Sequence, residues 1–217
     1  MSDLKLVIAN RNYSSWSMRA WLALKATGAP FEEVLIPLDR PETRQEILEH
    51  SPSGKVPALV HGDVTVWDSL AICEYLAELH PEAGLWPETP SARAAARSVC
   101  AEMHSGFLAL RSHMPMNLRA RRPGAGRSPG VGEDVDRVEA IWEWCRRHYG
   151  AGGDLLFGRF TIADAFFAPV VSRFRTYGVS PGGLAGVYMD ALWALPAVQE
   201  WALAAEAEPW SVPKYDG

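Results

Sequence analysis

Residues 4–9 form a short apolar run with β-branched members that gives way to the polar stretch 10–15, which predicts a buried strand ending in a loop. From Ser17 onward Met18, Trp21, Leu22 and Leu24 recur at helical spacing as far as the stop signal Gly28, so the serines of the loop sit at a helix N-terminus. Residues 31–38 read as a second strand, and strand, helix, strand with a crossover of this length predicts a right-handed parallel pair. Residues 41–49 look like a short polar helix. After a bend at Val56-Pro57, residues 58–60 and 64–67 make a hairpin through His61-Gly62-Asp63, and residues 69–79 form a covering helix. The expected product is a mixed sheet of four strands.

Residues 81–90 hold three prolines and a glycine without periodicity and form the best linker in the chain. Beyond it the pattern becomes helical throughout. Ser91 is the expected cap of a long alanine- and arginine-rich helix reaching Arg111, with Met103, Phe107 and Leu110 as its packing stripe. Val135, Val138, Ile141 or Trp142, Cys145 and Tyr149 mark a second helix that ends at Gly150. Residues 119–132, rich in arginine, glycine and proline, read as a mobile solvated connection. Thr161 and Asp164 make a capping box for a further helix, and Pro196 opens a last helix over residues 197–206, with a tail of no clear period. The expectation is a sheet domain at 1–80, a linker at 81–90 and an all-helical domain at 91–217.

Composition narrows the function classes. With 217 residues and 48% hydrophobic content the chain can bury substantial cores, and a formal charge of -5 with mixed signs offers no broad basic face for nucleic acid or an anionic membrane. Cys73, Cys100 and Cys145 are too few and too dispersed for a disulfide framework, and the six histidines never fall at metal-motif spacing, so no metal is expected. No run approaches membrane-spanning length and no secretory leader is evident, which makes the cytoplasm the expected compartment.

The chemistry concentrates between Ser51 and Ile72. Pro57 has no N–H for a sheet, so the chain turns at Val56 and leaves that residue's backbone groups free to pair with an extended peptide by strand addition. Asp68-Ser69 stands at a helix start, where backbone N–H groups and the positive end of the dipole favour a carboxylate. The Ser69 hydroxyl adds a donor and Asp68 a countercharge for an ammonium, a pair suited to a free amino-acid end.

Strand, Val-Pro bend, hairpin and Asp-Ser helix start together resemble the glutathione-binding half of the glutathione transferase superfamily, and the resemblance extends over nearly the whole chain. The run Tyr13-Ser14-Ser15-Trp16-Ser17 is most similar to the serine-type classes, the zeta class above all, although Trp16 stands where that pattern has a cysteine. The resemblance implies a thioredoxin-like α/β domain followed by an all-α helical bundle, glutathione as co-substrate and a homodimer. It also implies that Ser14 hydrogen-bonds the glutathione sulfur, with Ser15, Lys55, Val56, Pro57, Asp68 and Ser69 around the peptide, and that His104, Leu108, Arg111 and Asn117 face the second substrate. A thiol ordinarily titrates near ~8.5, and each unit of lowering requires about 1.4 kcal/mol of preferential anion stabilisation, which a hydroxyl at a helix N-terminus can help supply.

The serines taken alone would be helix caps, Ser15 is one residue from the assigned role, and the Tyr13 phenol is a rival donor. Two functions follow from the resemblance: an enzyme that activates glutathione for conjugation or cis-trans isomerisation of an electrophile, or a catalytically silent binding module. The three cysteines read as buried filler, so an enzyme thiol is not expected to take part.

Overall fold

The computed structural model describes residues 3–216. Strand β1 (Leu4–Ala9) alternates its side chains across the sheet, Leu6 and Ile8 entering the large core while Val7 meets Ile36, Ile47 and Ala58 in a smaller one on the opposite face. Helix α1 (Ser15–Thr27) follows, then β2 (Glu32–Ile36) and the short helix α2 (Thr43–Leu48). The chain then makes a cis peptide at Val56-Pro57 and enters the hairpin β3 (Ala58–His61) and β4 (Val64–Trp67), covered by α3 (Ser69–Leu79). The sheet order is β2-β1-β3-β4, with β1 parallel to β2 and antiparallel to β3. The expected mixed sheet is therefore present, and β2 is shorter at both ends than its apolar pattern suggested.

Helices make up the rest: α4 (Pro90–Ser105), α5 (Leu108–His113), α6 (Val131–Tyr149), α7 (Ile162–Tyr177), α8 (Gly183–Trp193), α9 (Pro196–Ala207) and the single turn α10 (Pro213–Asp216). Helix α7 is buried on nearly every side and packs against α1, α4 and α8, joining the helical domain to the sheet domain through one continuous core. Its first turn is held by the capping box: Asp164 accepts from the Thr161 amide at 2.8 Å and from the Leu156 amide at 3.2 Å. Burial pushes the Asp164 carboxyl up to about 6, against the pull of those amide hydrogen bonds.

Four expectations need correction. The long helix 91–111 is two helices, because Gly106 is extended and Phe107 left-handed (φ 60), and a Cβ on Gly106 would lie 2.9 Å from the Glu102 carbonyl oxygen. Met103, Phe107 and Leu110 are all buried, so the apolar stripe runs through the break and conceals it. The cap of α4 is Thr89, which accepts from the Ala92 amide, with Pro90 rather than Ser91 opening the helix. The connection at 119–130 is docked: the Arg122 amide donates to the Thr176 carbonyl at 2.7 Å and the Gly124 amide to that of Tyr177 at 2.9 Å. Helix α8 was not foreseen at all. Among the described residues no helix is long and apolar enough to cross a membrane.

Candidate active site

The loop between β1 and α1 delivers the serines. Ser14 is the N-cap of α1, accepting from the Ser17 amide at 3.3 Å and donating its own proton to Ser17 Oγ at 2.8 Å, while Ser17 Oγ accepts from the Ala9 amide. The capping role that serines usually have is thus real, and it puts the Ser14 oxygen beside the unpaired N–H groups of a helix start. Ser15, partly exposed, makes no side-chain hydrogen bond within the described residues. The Tyr13 phenol is committed elsewhere: it donates to Asp216 at 2.8 Å and accepts from Arg119 Nη2 at 2.8 Å.

Opposite the loop stand the Val-Pro bend and the start of α3. Val56 offers backbone groups that pair with no other described part of the chain. Asp68 caps α3 at an unusual left-handed angle (φ 25), accepting from the Leu70 amide at 2.8 Å. Ser69 is buried, and its hydroxyl has no partner among the described residues although it lines a cavity. An orphaned buried hydroxyl beside a helix N-terminus fits a ligand carboxylate, the group expected there.

Two cavities meet at this place. One, of about 600 Å³, is lined by Trp16, Ser53, Lys55, Val56, Pro57, Trp67, Asp68 and Ser69. The other, of about 420 Å³, takes Ser14 and Ser15 on one side and Arg111 and Arg173 on the other. Trp16, Lys55 and Val56 belong to both and form their common wall. Trp16 is braced there, with the guanidinium of Arg19 at 4.4 Å and that of Arg111 at 4.8 Å from its ring centre and the His104 ring edge-on at 5.2 Å.

The helical residues expected at the second substrate divide. Arg111 lines the serine-side cavity, and His104 reaches the sheet domain with Nε2 at 3.3 Å from Asp68 Oδ2. Burial holds the His104 ring below its usual range, Asp68 pulls it up, and Arg19 and Arg111 press it further down. Leu108 is 77% exposed and lines neither cavity. Asn117 is buried away from them, accepting from Asn12 Nδ2 and donating to the Tyr215 carbonyl and Asp216. Its work is to hold backbone.

Arg173, absent from the residues expected at the site, is 5% exposed, donates to the Met114 and Pro169 carbonyls and still borders the cavity. Burial, reinforced by Arg111, lowers it to about 10, and Arg19 falls to about 9 through burial and then the same two neighbouring cations. Three guanidinium groups crowded in a poor solvent favour an anion nearby. The signal was an arginine just after the apolar run 165–171 of the buried helix α7. All three cysteines are buried and free; burial pushes the Cys145 thiol up to about 12 and raises those of Cys73 and Cys100 strongly, leaving no protein thiolate at the site.

A mixed four-stranded sheet domain followed by an all-α bundle, with its cleft between the first serine-bearing helix and the second domain, is the thioredoxin-like transferase architecture. Comparison with known proteins agrees. Residues 13–79 match the glutathione S-transferase N-terminal domain model and residues 94–204 the corresponding C-terminal domain model. A probable maleylacetoacetate isomerase of Caenorhabditis elegans is 30% identical over 177 residues, 79% of each chain, and a zeta-class glutathione S-transferase of Euphorbia esula is 29% identical over 181 residues, 77% of this chain and 75% of the other. A glutathione transferase homologue from Burkholderia, solved with bound glutathione, superposes with a TM-score of 0.70 at 25% identity, covering 96% of this chain and all of the other. The chain belongs to the glutathione S-transferase family and is zeta-like within it.

Proposed function

We propose that the protein is a glutathione transferase that turns the glutathione thiolate on a carboxylate-bearing electrophile, by conjugation or by cis-trans isomerisation. Glutathione would lie along Val56 and Pro57, its amino-acid end at Asp68 and Ser69, Lys55 near a carboxylate, and its sulfur at Ser14, whose proton would turn from Ser17 Oγ to the thiolate, with Ser15 adjacent. In isomerisation the sulfur adds to a conjugated carbon, the double bond becomes single and rotates, and expulsion of the thiolate restores the double bond and the glutathione. In conjugation of an aryl halide the C–S bond forms as the halide leaves. The protein contributes orientation and fixed positive charge.

The observation that carries this reading is the shared wall of Trp16, Lys55 and Val56, which sets the serine loop and the Arg111–Arg173 pair on the same cavity. The relatives' names support the isomerase branch. The test uses glutathione with uncharged chlorodinitrobenzene and its carboxylated analogue, chlorodinitrobenzoate. Wild type should prefer the carboxylated probe, and Arg111→Gln should cut kcat/KM for it by about 10- to 100-fold while touching the uncharged one little, since a hydrogen bond to a charge contributes roughly 1.5–3 kcal/mol. Equal losses on both probes would remove the anion site from the account.

The same reading includes a division at 1–80, 81–90 and 91–217, supported by the gap between the two matched family models. It includes a homodimer, supported by the exposure of Trp67 at the end of β4, and a reducing cytoplasmic setting, supported by three unpaired cysteines.

A further inference from the structure

The loop that carries Ser14 closes on the Asn10 carbonyl, and residues 117–119 hold Asn12, while the amides of Arg11 and Asn12 are held from the far end of the described chain. The Glu208 carboxylate, 7% exposed, receives two successive loop amides, Arg11 at 2.7 Å on Oε1 and Asn12 at 3.2 Å on Oε2. Arg11 also reaches Glu208 with its guanidinium at 3.7 Å, and the Trp201 indole donates to the Arg11 carbonyl at 3.0 Å. Arg119 ties the segment down by donating to the carbonyls of Glu208 at 2.8 Å and Trp210 at 2.7 Å.

Tyr13, the residue before Ser14, is the second anchor. Its oxygen donates to Asp216 and accepts from the Val212 amide at 3.2 Å, and its ring lies 5.7 Å from that of Tyr215. Asn117 closes the circuit through the Tyr215 carbonyl and Asp216. Tyr13 and Tyr215 both border the cavity that holds Ser14, Arg111 and Arg173. A carboxylate that chelates adjacent amides fixes the peptide plane between them, and a loop so fixed sets the direction of the next side chains.

We infer that residues 208–216 are a strap that positions the Ser14 loop, with Glu208 and Asp216 as positioning residues and Tyr215 as a wall that selects the second substrate. The catalytic part of this inference rests on the function proposed above; the mechanical part does not. Glu208 is buried within the strap with its carboxylate on the two amides and the Arg11 guanidinium, and a glutamine there would turn an N–H₂ toward one of the amides.

Hydrogen exchange on the full chain without glutathione tests the mechanical part. Glu208→Gln should speed exchange of the amides at 10–18 by about 10-fold or more while α6 and α8 keep wild-type protection. Kinetics with glutathione and chlorodinitrobenzene test the catalytic part: kcat should fall by about 10- to 100-fold with the glutathione KM within about twofold, because the sulfur's partner is displaced and the peptide ends are not. Should Glu208→Gln fold poorly, Tyr13→Phe and Asp216→Ala carry the same test. Their kcat losses should be similar and the double variant no worse than either, since both cut one latch. Tyr215→Ala should change the rate ratio between chlorodinitrobenzene and chlorodinitrobenzoate by about 5-fold or more. Unchanged exchange at 10–18 overturns the strap, and faster exchange with wild-type kcat overturns its catalytic role. A far larger loss in Tyr13→Phe than in Asp216→Ala would make Tyr13 the sulfur donor, and a wild type that fails to bind glutathione would sink the proposed function while the exchange result still decides the mechanics.

Discussion

Asp68 shows how one side chain can serve two physical demands. Its Oδ1 caps α3 and its Oδ2 faces His104 at 3.3 Å, yet the group is half exposed beside the cavity and available to a ligand ammonium. Capping and charge can be separated, because asparagine caps as well as aspartate but carries no charge. Asp68→Asn and Asp68→Ala should therefore weaken glutathione by similar factors of about 10 or more, whereas only the alanine variant should lose the roughly 1 kcal/mol that a cap contributes to stability. Calorimetry and thermal unfolding read the two effects apart; wild-type affinity in both variants would take Asp68 out of the binding site.

At the scale of elements, what was legible followed from pattern and punctuation. The strand at 4–9, the helix start at Ser14-Ser15, the Val56-Pro57 turn and the Thr161–Asp164 box each carry a local signal that tertiary packing did not override. Helix α8 carried none: Gly182, Gly183 and Gly186 read as loop, and its cap has no side chain to announce it. The break at Gly106 was hidden because its neighbours keep a helical apolar stripe across it. The candidate site residues followed the same division. Ser14, Lys55, Val56, Asp68 and Ser69 sit on elements with local signatures and come together at the joined cavities, whereas Arg173, Tyr215 and Glu208 reach the site or its supporting loop through contacts more than a hundred residues apart or from a neighbouring helix. Leu108 was placed by position along a helix that in fact stops and restarts, which turns it to solvent, whereas Asn117 rested on the resemblance alone and lies beyond α5 in the Asn12 network.

For the molecule as a whole, the two domains share one core through α1 and α7, and the cleft between them draws its serines from one and its arginines from the other. A two-fold assembly would cover Trp67, 46% exposed beside the first cavity, and sedimentation should accordingly give about twice the chain mass of 23.9 kDa at micromolar concentration. A monomer would leave that face open. If the Ser14 hydroxyl at the start of α1 stabilises a glutathione thiolate, the ultraviolet thiolate band of bound glutathione reports it when titrated against pH. Wild type should titrate clearly below the ~8.5 of a free thiol, and Ser14→Ala should move the midpoint up by about 1 unit or more, with Ser15→Ala and Tyr13→Phe shifting it less. A wild-type midpoint equal to that of free glutathione, or a Ser14→Ala curve that overlays wild type, would contradict the account.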